Sequence, residues 1–358
     1  MTKVVVALSG GVDSSVAAAL LVEQGYEVVG ATMRLWSAPG CEEENRCCTP
    51  QTRELAAQLA QQLGIPFYVL DAQQEFRQAV VQRFLDGYSR GDTPNPCVYC
   101  NRYLKWDYLW HFAQSIGAEA IATGHYARLR KGIDGTYELW KGADPSKDQT
   151  YFLSLLTQQH LAHTLFPLGE YTKVEVRQIA HERRLPAADA PESQDLCFLG
   201  KRDYRDFLRE YAPQAVRPGE IVNVQGKVLG KHNGLAFYTI GQRKGLPPAA
   251  QALYVYQKDV EHNRLVVGTK AELGADSMQV REINWIAGNP PAEHFEAEVK
   301  IRFKAVPALA QIEVQPDGSA MVQFAKPLRD ITPGQLAVFY QGEKVLGGGW
   351  INQAEMMA

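Results

Sequence analysis

The 358-residue chain contains no apolar run of the length a membrane span requires, and nothing at its start resembles a signal peptide, since the first strand candidate begins at Lys3. A cytoplasmic, non-membrane protein is therefore expected. Charge of one sign is also scarce: the formal net charge is −3, so no overall positive field draws in nucleic acid, and any RNA has to be gripped by local basic patches. Cysteines number six, and in a reducing compartment they argue for redox, sulfur or metal chemistry rather than a disulfide framework. The chain has neither the Gly-Lys-Ser/Thr ending of a Walker loop nor the G-x-G-x-x-G of a dinucleotide fold, and it shows no internal repeat or low-complexity segment.

What is present is ordinary globular composition, 46% hydrophobic and 22% charged, in a chain long enough for two or three domains. Strand and helix candidates alternate through the first two hundred residues, which predicts a parallel sheet with helices on both faces. From about Asp203 the pattern changes to short strands punctuated by glycine, including Ile221–Val224, Ala236–Ile240, Leu253–Gln257 and Arg264–Val267. From about Ser277 it is all strand and turn, as in a small barrel or sandwich. The expected organisation is an α/β domain over 1–202, a small mostly-β domain over 203–275 and a C-terminal β-barrel over 276–358.

The most informative stretch runs from Val4 to Ser15. A β-branched strand leads through Ser9-Gly10-Gly11 into an alanine-rich helix closed by Gly25. Two glycines permit a sharp turn and close backbone approach, while serine hydroxyls and unpaired helix N–H groups suit phosphate. In an open α/β sheet ligands bind beyond the carboxyl ends of the strands, so Ser9 to Ser14, Met33 and Gly124-His125 should converge on one crevice. A second helix is predicted to start at Thr49-Pro50 and stop at Gly64, and two more over Gln74–Tyr88 and Arg102–Ile116.

The thiols form three groups: Cys41, Cys47 and Cys48; Cys97-x-x-Cys100; and Cys197. A working cysteine needs nearby cations or a helix start to hold its thiolate, and Arg102 and Lys105 lie close to Cys100 as Lys201 and Arg202 do to Cys197. Cys97 is open to three readings: a bystander, an alternative disulfide partner for Cys100, or a third ligand with Cys100 and Cys197 for an iron–sulfur cluster. Cys41, Cys47 and Cys48 suggest a metal loop, though no histidine or second C-x-x-C completes zinc spacing.

Ser9-Gly10-Gly11-Val12-Asp13-Ser14 resembles the S-G-G-x-D-S loop of the PP-loop ATP pyrophosphatases. Thr93-Pro94-Asn95-Pro96 running into Cys100-Asn101, Thr123-Gly124-His125-Tyr126, Lys147-Asp148-Gln149, Ser193 to Phe198 and Pro333-Gly334-Gln335 narrow the likeness to the bacterial tRNA-specific 2-thiouridylase family. That resemblance implies a three-domain enzyme that uses ATP, with magnesium oriented through Asp13, to replace the C2 oxygen of the wobble uridine of tRNA with sulfur. By the family pattern Cys197 receives sulfur as a persulfide from a donor protein, and Cys100 releases it while closing a disulfide with Cys197. Ala7, Leu8, Ser9, Gly10, Gly11, Val12, Asp13, Ser14, Met33 and Gly124 would bind ATP, and Asn95, Pro96 and Cys97 would surround the target base. His125, Lys147, Asp148, Gln149, Arg302, Phe303 and Gln335 would contact tRNA. Lys300, Arg302 and Lys304 alternate as if sharing one strand face, and a monomer is the default expectation. The competing classes are a PP-loop ligase that moves nitrogen, which needs no cysteine pair, an iron–sulfur-dependent tRNA thiolase, and a non-catalytic RNA-binding module.

Overall fold

In the computed structural model the described residues are 1–40, 49–191, 196–200 and 202–356, the last four by backbone only. Cys41, Cys47 and Cys48, residues 192–195 of the Cys197 segment, and Lys201 lie outside them.

Seven strands fall in the first 170 residues: β1 (Lys3–Ala7), β2 (Glu27–Arg34), β3 (Phe67–Asp71), β4 (Ala120–Ala122), β5 (Ala127–Lys131), β6 (Tyr137–Lys141) and β7 (Thr164–Leu165). Five of them pair in parallel in the order β3-β2-β1-β4-β7. Val4, Val5 and Val6 of the central strand are wholly buried because helices cover both faces. Val4 and Val6 face α1 (Val12–Glu23) and α2 (Pro50–Leu63) through Val16, Ala17, Leu20 and Leu59, whereas Val5 faces Trp106, Leu109 and Ala113 on the helix spanning 96–115. The chain moves outward from β1 to β3, then returns to the other side of β1 as β4. The crevice therefore opens between the carboxyl ends of β1 and β4.

Local signals set several boundaries as expected. The Thr49 hydroxyl accepts the Thr52 N–H at 3.0 Å, Pro50 occupies the first turn, and Gly64 ends α2 at φ +66°. One helix start differs, and the difference matters. The helix expected from Arg102 begins at Pro96, because Asn95 caps it through the Cys97 N–H at 3.2 Å and Pro96 suits its first position. The whole C-x-x-C therefore lies on the helix, which carries a π-helical segment over Cys100–Tyr108.

The middle of the chain forms a four-stranded sheet of β8 (Gly219–Asn223), β9 (Val228–His232), β10 (Leu253–Asp259) and β11 (Arg264–Thr269) in the order β10-β11-β8-β9. The strand expected over Ala236–Ile240 is instead a 3₁₀ turn at Leu235–Phe237. Ala236 and Phe237 are buried in the same cluster as Phe207 and Phe198, so packing against the first domain prevails over strand propensity.

The C-terminal part has β12 (Ala275–Trp285), β13 (His294–Lys300), β14 (Ala308–Val314), β15 (Ala320–Leu328), β16 (Leu336–Gln341) and β17 (Lys344–Met356). Neighbours pair in the order β12-β15-β14-β13-β16-β17, and β12 pairs again with β17, closing a six-stranded barrel. The β5–β6 hairpin of the first domain extends this sheet through the pairing of Trp140 with Lys344.

Candidate active site

The loop after β1 is held by its own serines. The Ser14 hydroxyl donates to Gly11 O at 3.1 Å and accepts the Ser9 N–H at 3.2 Å, and the Ser15 hydroxyl also donates to Gly11 O at 2.9 Å. Gly10 has φ +73°, and a Cβ there would stand 2.2 Å from Thr52 O, so α2 fixes the loop from behind. Ser9 is exposed while the side chains of Leu8 and Val12 are buried, so those two residues offer a ligand their backbone. Ala7 ends β1 directly below. Gly124, following β4, touches the far side of the loop: a Cβ would stand 2.7 Å from Asp13 C and Ser14 N.

Two neighbours of Asp13 escaped the sequence reading. Its Oδ1 accepts from Lys173 Nζ at 2.6 Å and from the Tyr126 hydroxyl at 2.7 Å. Lys173 opens the helix Lys173–Glu182, whose capping box of Thr172 and Glu175 fixes its start. That Thr-x-x-Glu signal was visible in the sequence and marks Lys173 as the first helical residue; its reach to Asp13 was not. This sharing also bears on a cation: at most Oδ2 is left for a metal, which fits a magnesium held chiefly by phosphate oxygens and water.

Met33, Cys100 and Cys197 pack against one apolar cluster that includes Leu35, Phe76, Phe84, Leu104 and Phe198. Cys100 and Cys197 are half-buried and Cys97 is exposed. Three of the four cations expected beside the thiols are described, and each has a carboxylate or imidazole partner. Arg102 donates to Asp107 at 2.5 Å, Lys105 Nζ lies 3.5 Å from His125 Nε2, and Arg202 pairs with Glu210 at 2.5 Å. Among the described residues, Cys97, Cys100 and Cys197 included, no group of three or more His, Cys, Asp or Glu side chains is assembled to hold a metal. The contact of Lys105 with His125, directly after Gly124, ties the Cys100 helix to the nucleotide loop.

The segment before Cys97 is clamped from all three parts of the chain. Thr93 N–H donates to Pro333 O at 2.9 Å, and Gln335 Nε2 donates to Thr93 O at 2.5 Å. Gly334 leaves no room for a side chain, since a Cβ would be 2.6 Å from Asp92 Cβ. From the middle domain, Lys258 Nζ donates to Asp92 O at 3.2 Å and Thr93 Oγ1 at 3.4 Å, and burial pushes this ammonium down to about 8. The buried Tyr151 hydroxyl donates to Leu336 O at 3.1 Å near Asn95, and Pro96 is buried.

The other residues expected to meet RNA are placed unevenly. His125 is buried, with Nδ1 2.7 Å from Thr123 Oγ1, and burial with Lys105 alongside drives its pKa well below the ordinary value, so the ring is neutral. Asp148 is buried and accepts from Thr150 Oγ1 at 2.9 Å, Gln149 Oε1 accepts the Tyr126 N–H at 3.0 Å, and Lys147 is half-exposed. Phe303 lies 4.5 Å from the Phe152 ring, on the first domain. The expected basic strand face of Lys300, Arg302 and Lys304 does not form. β13 ends at Lys300, and Arg302 turns inward, donating to Ile240 O at 3.0 Å and to Thr332 Oγ1. The backbone leaves the strand before the alternation can act.

Three family models match in succession: a tRNA methyl transferase HUP domain over 2–201, a tRNA methyl transferase PRC-barrel domain over 205–269 and an aminomethyltransferase beta-barrel domain over 275–351. The chain is 49% identical over 352 residues to the tRNA-specific 2-thiouridylase MnmA of Magnetococcus marinus, covering 98% of each. It is 46% identical to the protein of the same name from Chloroflexus aurantiacus, covering 99% of this chain and all of that one. The Carboxydothermus hydrogenoformans protein of that name is 47% identical, with 98% of each covered.

Proposed function

The chain belongs to the tRNA-specific 2-thiouridylase family, and from that premise we propose the following assignment of its reaction to its residues. The enzyme carries out ATP-dependent 2-thiolation of the wobble uridine of tRNA. The SGGVDS loop and Lys173 hold the phosphates of ATP while the uracil O2 attacks the α-phosphorus. Pyrophosphate leaves, and the carbonyl oxygen becomes part of an AMP leaving group. Asp13 would be the protein carboxylate that holds magnesium, which would supply charge neutralisation for the departing pyrophosphate.

Sulfur arrives on Cys197 as a persulfide from a donor protein. The Cys100 thiolate attacks the Cys197 sulfur, the terminal sulfur leaves as hydrosulfide, and a Cys100–Cys197 disulfide remains. Hydrosulfide adds to C2 of the activated uracil and AMP departs. A disulfide needs the two Cα atoms within about 7 Å, so the cycle requires the two thiol segments to come within that range. Asn95, Pro96 and Cys97 bound the base, which an anticodon loop presents unpaired and ready to turn out. In this assignment Lys147, which is half-exposed, contacts tRNA, with His125, Asp148, Gln149, Arg302, Phe303 and Gln335 as the further tRNA-contact residues. Among the described residues no helix is long and apolar enough to cross a membrane, and we place the enzyme in the cytoplasm as a monomer.

One observation carries this reading: Met33, Cys100 and Cys197 share a cluster at the sheet end where Lys105 and His125 join the Cys100 helix to Gly124 and the phosphate loop. The test is mass spectrometry of tRNA nucleosides after incubation with ATP, magnesium and a persulfide donor. Wild-type enzyme should yield 2-thiouridine at the wobble position, and Cys100→Ser and Cys197→Ser should yield none while still releasing pyrophosphate. A fully active Cys197→Ser enzyme would overturn the persulfide role.

A further inference from the structure

The reaction above leaves a half-buried disulfide to be reopened each turnover, and it gives the thiol of Cys97 no covalent role. Cys97 is exposed in the first turn of the 96–115 helix, with its N–H capped by Asn95. The positive end of the helix dipole favours a thiolate there. Cys100 stands three residues on, one turn deeper, on the same helix face and against the apolar cluster. Positions i and i+3 of a helix hold their Cα atoms within disulfide range.

We propose that Cys97 is the resolving thiol of this enzyme. This inference rests on the reading that turnover leaves Cys100 and Cys197 oxidised. The Cys97 thiolate attacks the Cys100 sulfur, the Cys97–Cys100 bond forms as the Cys100–Cys197 bond breaks, and Cys197 departs as a thiolate that takes up a proton. No electrons are gained or lost in that exchange, and Cys197 is ready for the next persulfide. An external dithiol protein then attacks the exposed Cys97 sulfur, displacing the Cys100 thiolate. Its second thiol displaces Cys97 and closes its own disulfide, so the dithiol supplies both electrons. Reducing power thus enters at a surface sulfur and reaches the half-buried pair by exchange, sparing a bulky reductant any approach to Cys197.

The experiment compares full-length wild type with Cys97→Ser after a single turnover on tRNA with a persulfide donor and no reductant, quenched with an alkylating agent and digested. Cys97 and Cys100 fall in one tryptic peptide, 91–102, so a bond between them appears as an uncrosslinked peptide two hydrogens lighter, whereas Cys100–Cys197 links two peptides. Counted as a share of the enzyme that turned over, measured by the 2-thiouridine formed, wild type should show both forms and Cys97→Ser the crosslink alone. A thioredoxin-type dithiol protein should then restore the Cys197 thiol roughly tenfold more slowly in Cys97→Ser. A wild type that holds the crosslink alone, and is reduced as fast as the variant, would overturn the resolving role with the thiolation reading intact. Absence of the crosslink from both proteins would overturn that reading and the resolving role together.

Discussion

Lys173 reaches across 160 residues of sequence to donate to Asp13 Oδ1 at 2.6 Å, and that contact brings a nearly buried ammonium to the start of α1, beside the Ser9–Ser14 loop. Neither residue alone has that effect. Asp13 without Lys173 adds negative charge where an anion must bind, and Lys173 without Asp13 has no carboxylate to position it. Lys173→Met should therefore lower ATP-dependent pyrophosphate release by about a hundredfold, the scale for removing one preorganised charge from an anionic transition state, with Lys173→Arg partly restoring it. Equal rates in Lys173→Met and wild type would refute the assignment.

Gly124 tests the same loop by sterics. A methyl group there would press on Asp13 C and Ser14 N at 2.7 Å, and backbone atoms cannot swing aside as a side chain can. Gly124→Ala should weaken ATP binding, measured by titration calorimetry, by about tenfold, with a loss of stability of roughly 1–3 kcal/mol. Wild-type affinity would mean that the loop moves away from β4 when ATP binds.

Much of this site was legible because its signals are local. The strand, glycine turn and helix of residues 4–24, the Thr49-Pro50 start and the Gly64 stop of α2 each depend on a few adjacent residues, and the structure carries all three. The Cys100 helix was misread at its start because Asn95-Pro96 is both a loop signal and a cap signal, and the two glycine-free turns that follow decide for the cap. Contacts across the chain were beyond reach. Lys173 on Asp13 depends on a distant helix folding back within the first domain, while Lys258 and Gln335 on the Thr93 segment and the inward turn of Arg302 depend on three domains meeting, and no periodicity encodes either. The β5–β6 hairpin carries its own local signal, Asp134-Gly135 between its two strands, whereas its junction with the last strand through Trp140 and Lys344 does not.

Gln335 clamps the Thr93 segment from the barrel, through the 2.5 Å bond from Nε2 to Thr93 O. Gln335→Leu leaves that carbonyl unsatisfied and loosens the segment leading to Asn95 and Cys97. One such hydrogen bond is worth about 1 kcal/mol, so thiolation should fall by roughly five- to tenfold in kcat/KM for tRNA. ATP affinity should stay within twofold, because no contact of the phosphate loop is altered, about the limit of the titration itself. A larger loss of ATP affinity than of tRNA turnover would contradict a clamp acting on this segment.

Lys258 clamps the same segment from the middle domain, and its charge makes that clamp sensitive to pH. Burial depresses the ammonium from the ordinary 10.5 to about 8, with Asp92 opposing the shift and the Asp92 carbonyl and Thr93 hydroxyl accepting its protons. Asp92 is itself 3.4 Å from Arg90 Nε, so part of its charge is already answered. Between about pH 8 and 10.5 the unfolded chain binds more protons than the folded one, and unfolding free energy rises with pH across that window. The contribution is thus present above the unfolded value and lost as pH falls through the folded one, with an upper bound of about 3 kcal/mol. Urea unfolding of wild type and Lys258→Met at pH 7.5 and 9.5 measures it. Wild type should gain stability relative to the variant between those two pH values, and parallel pH profiles would show that the lysine titrates alike in both states.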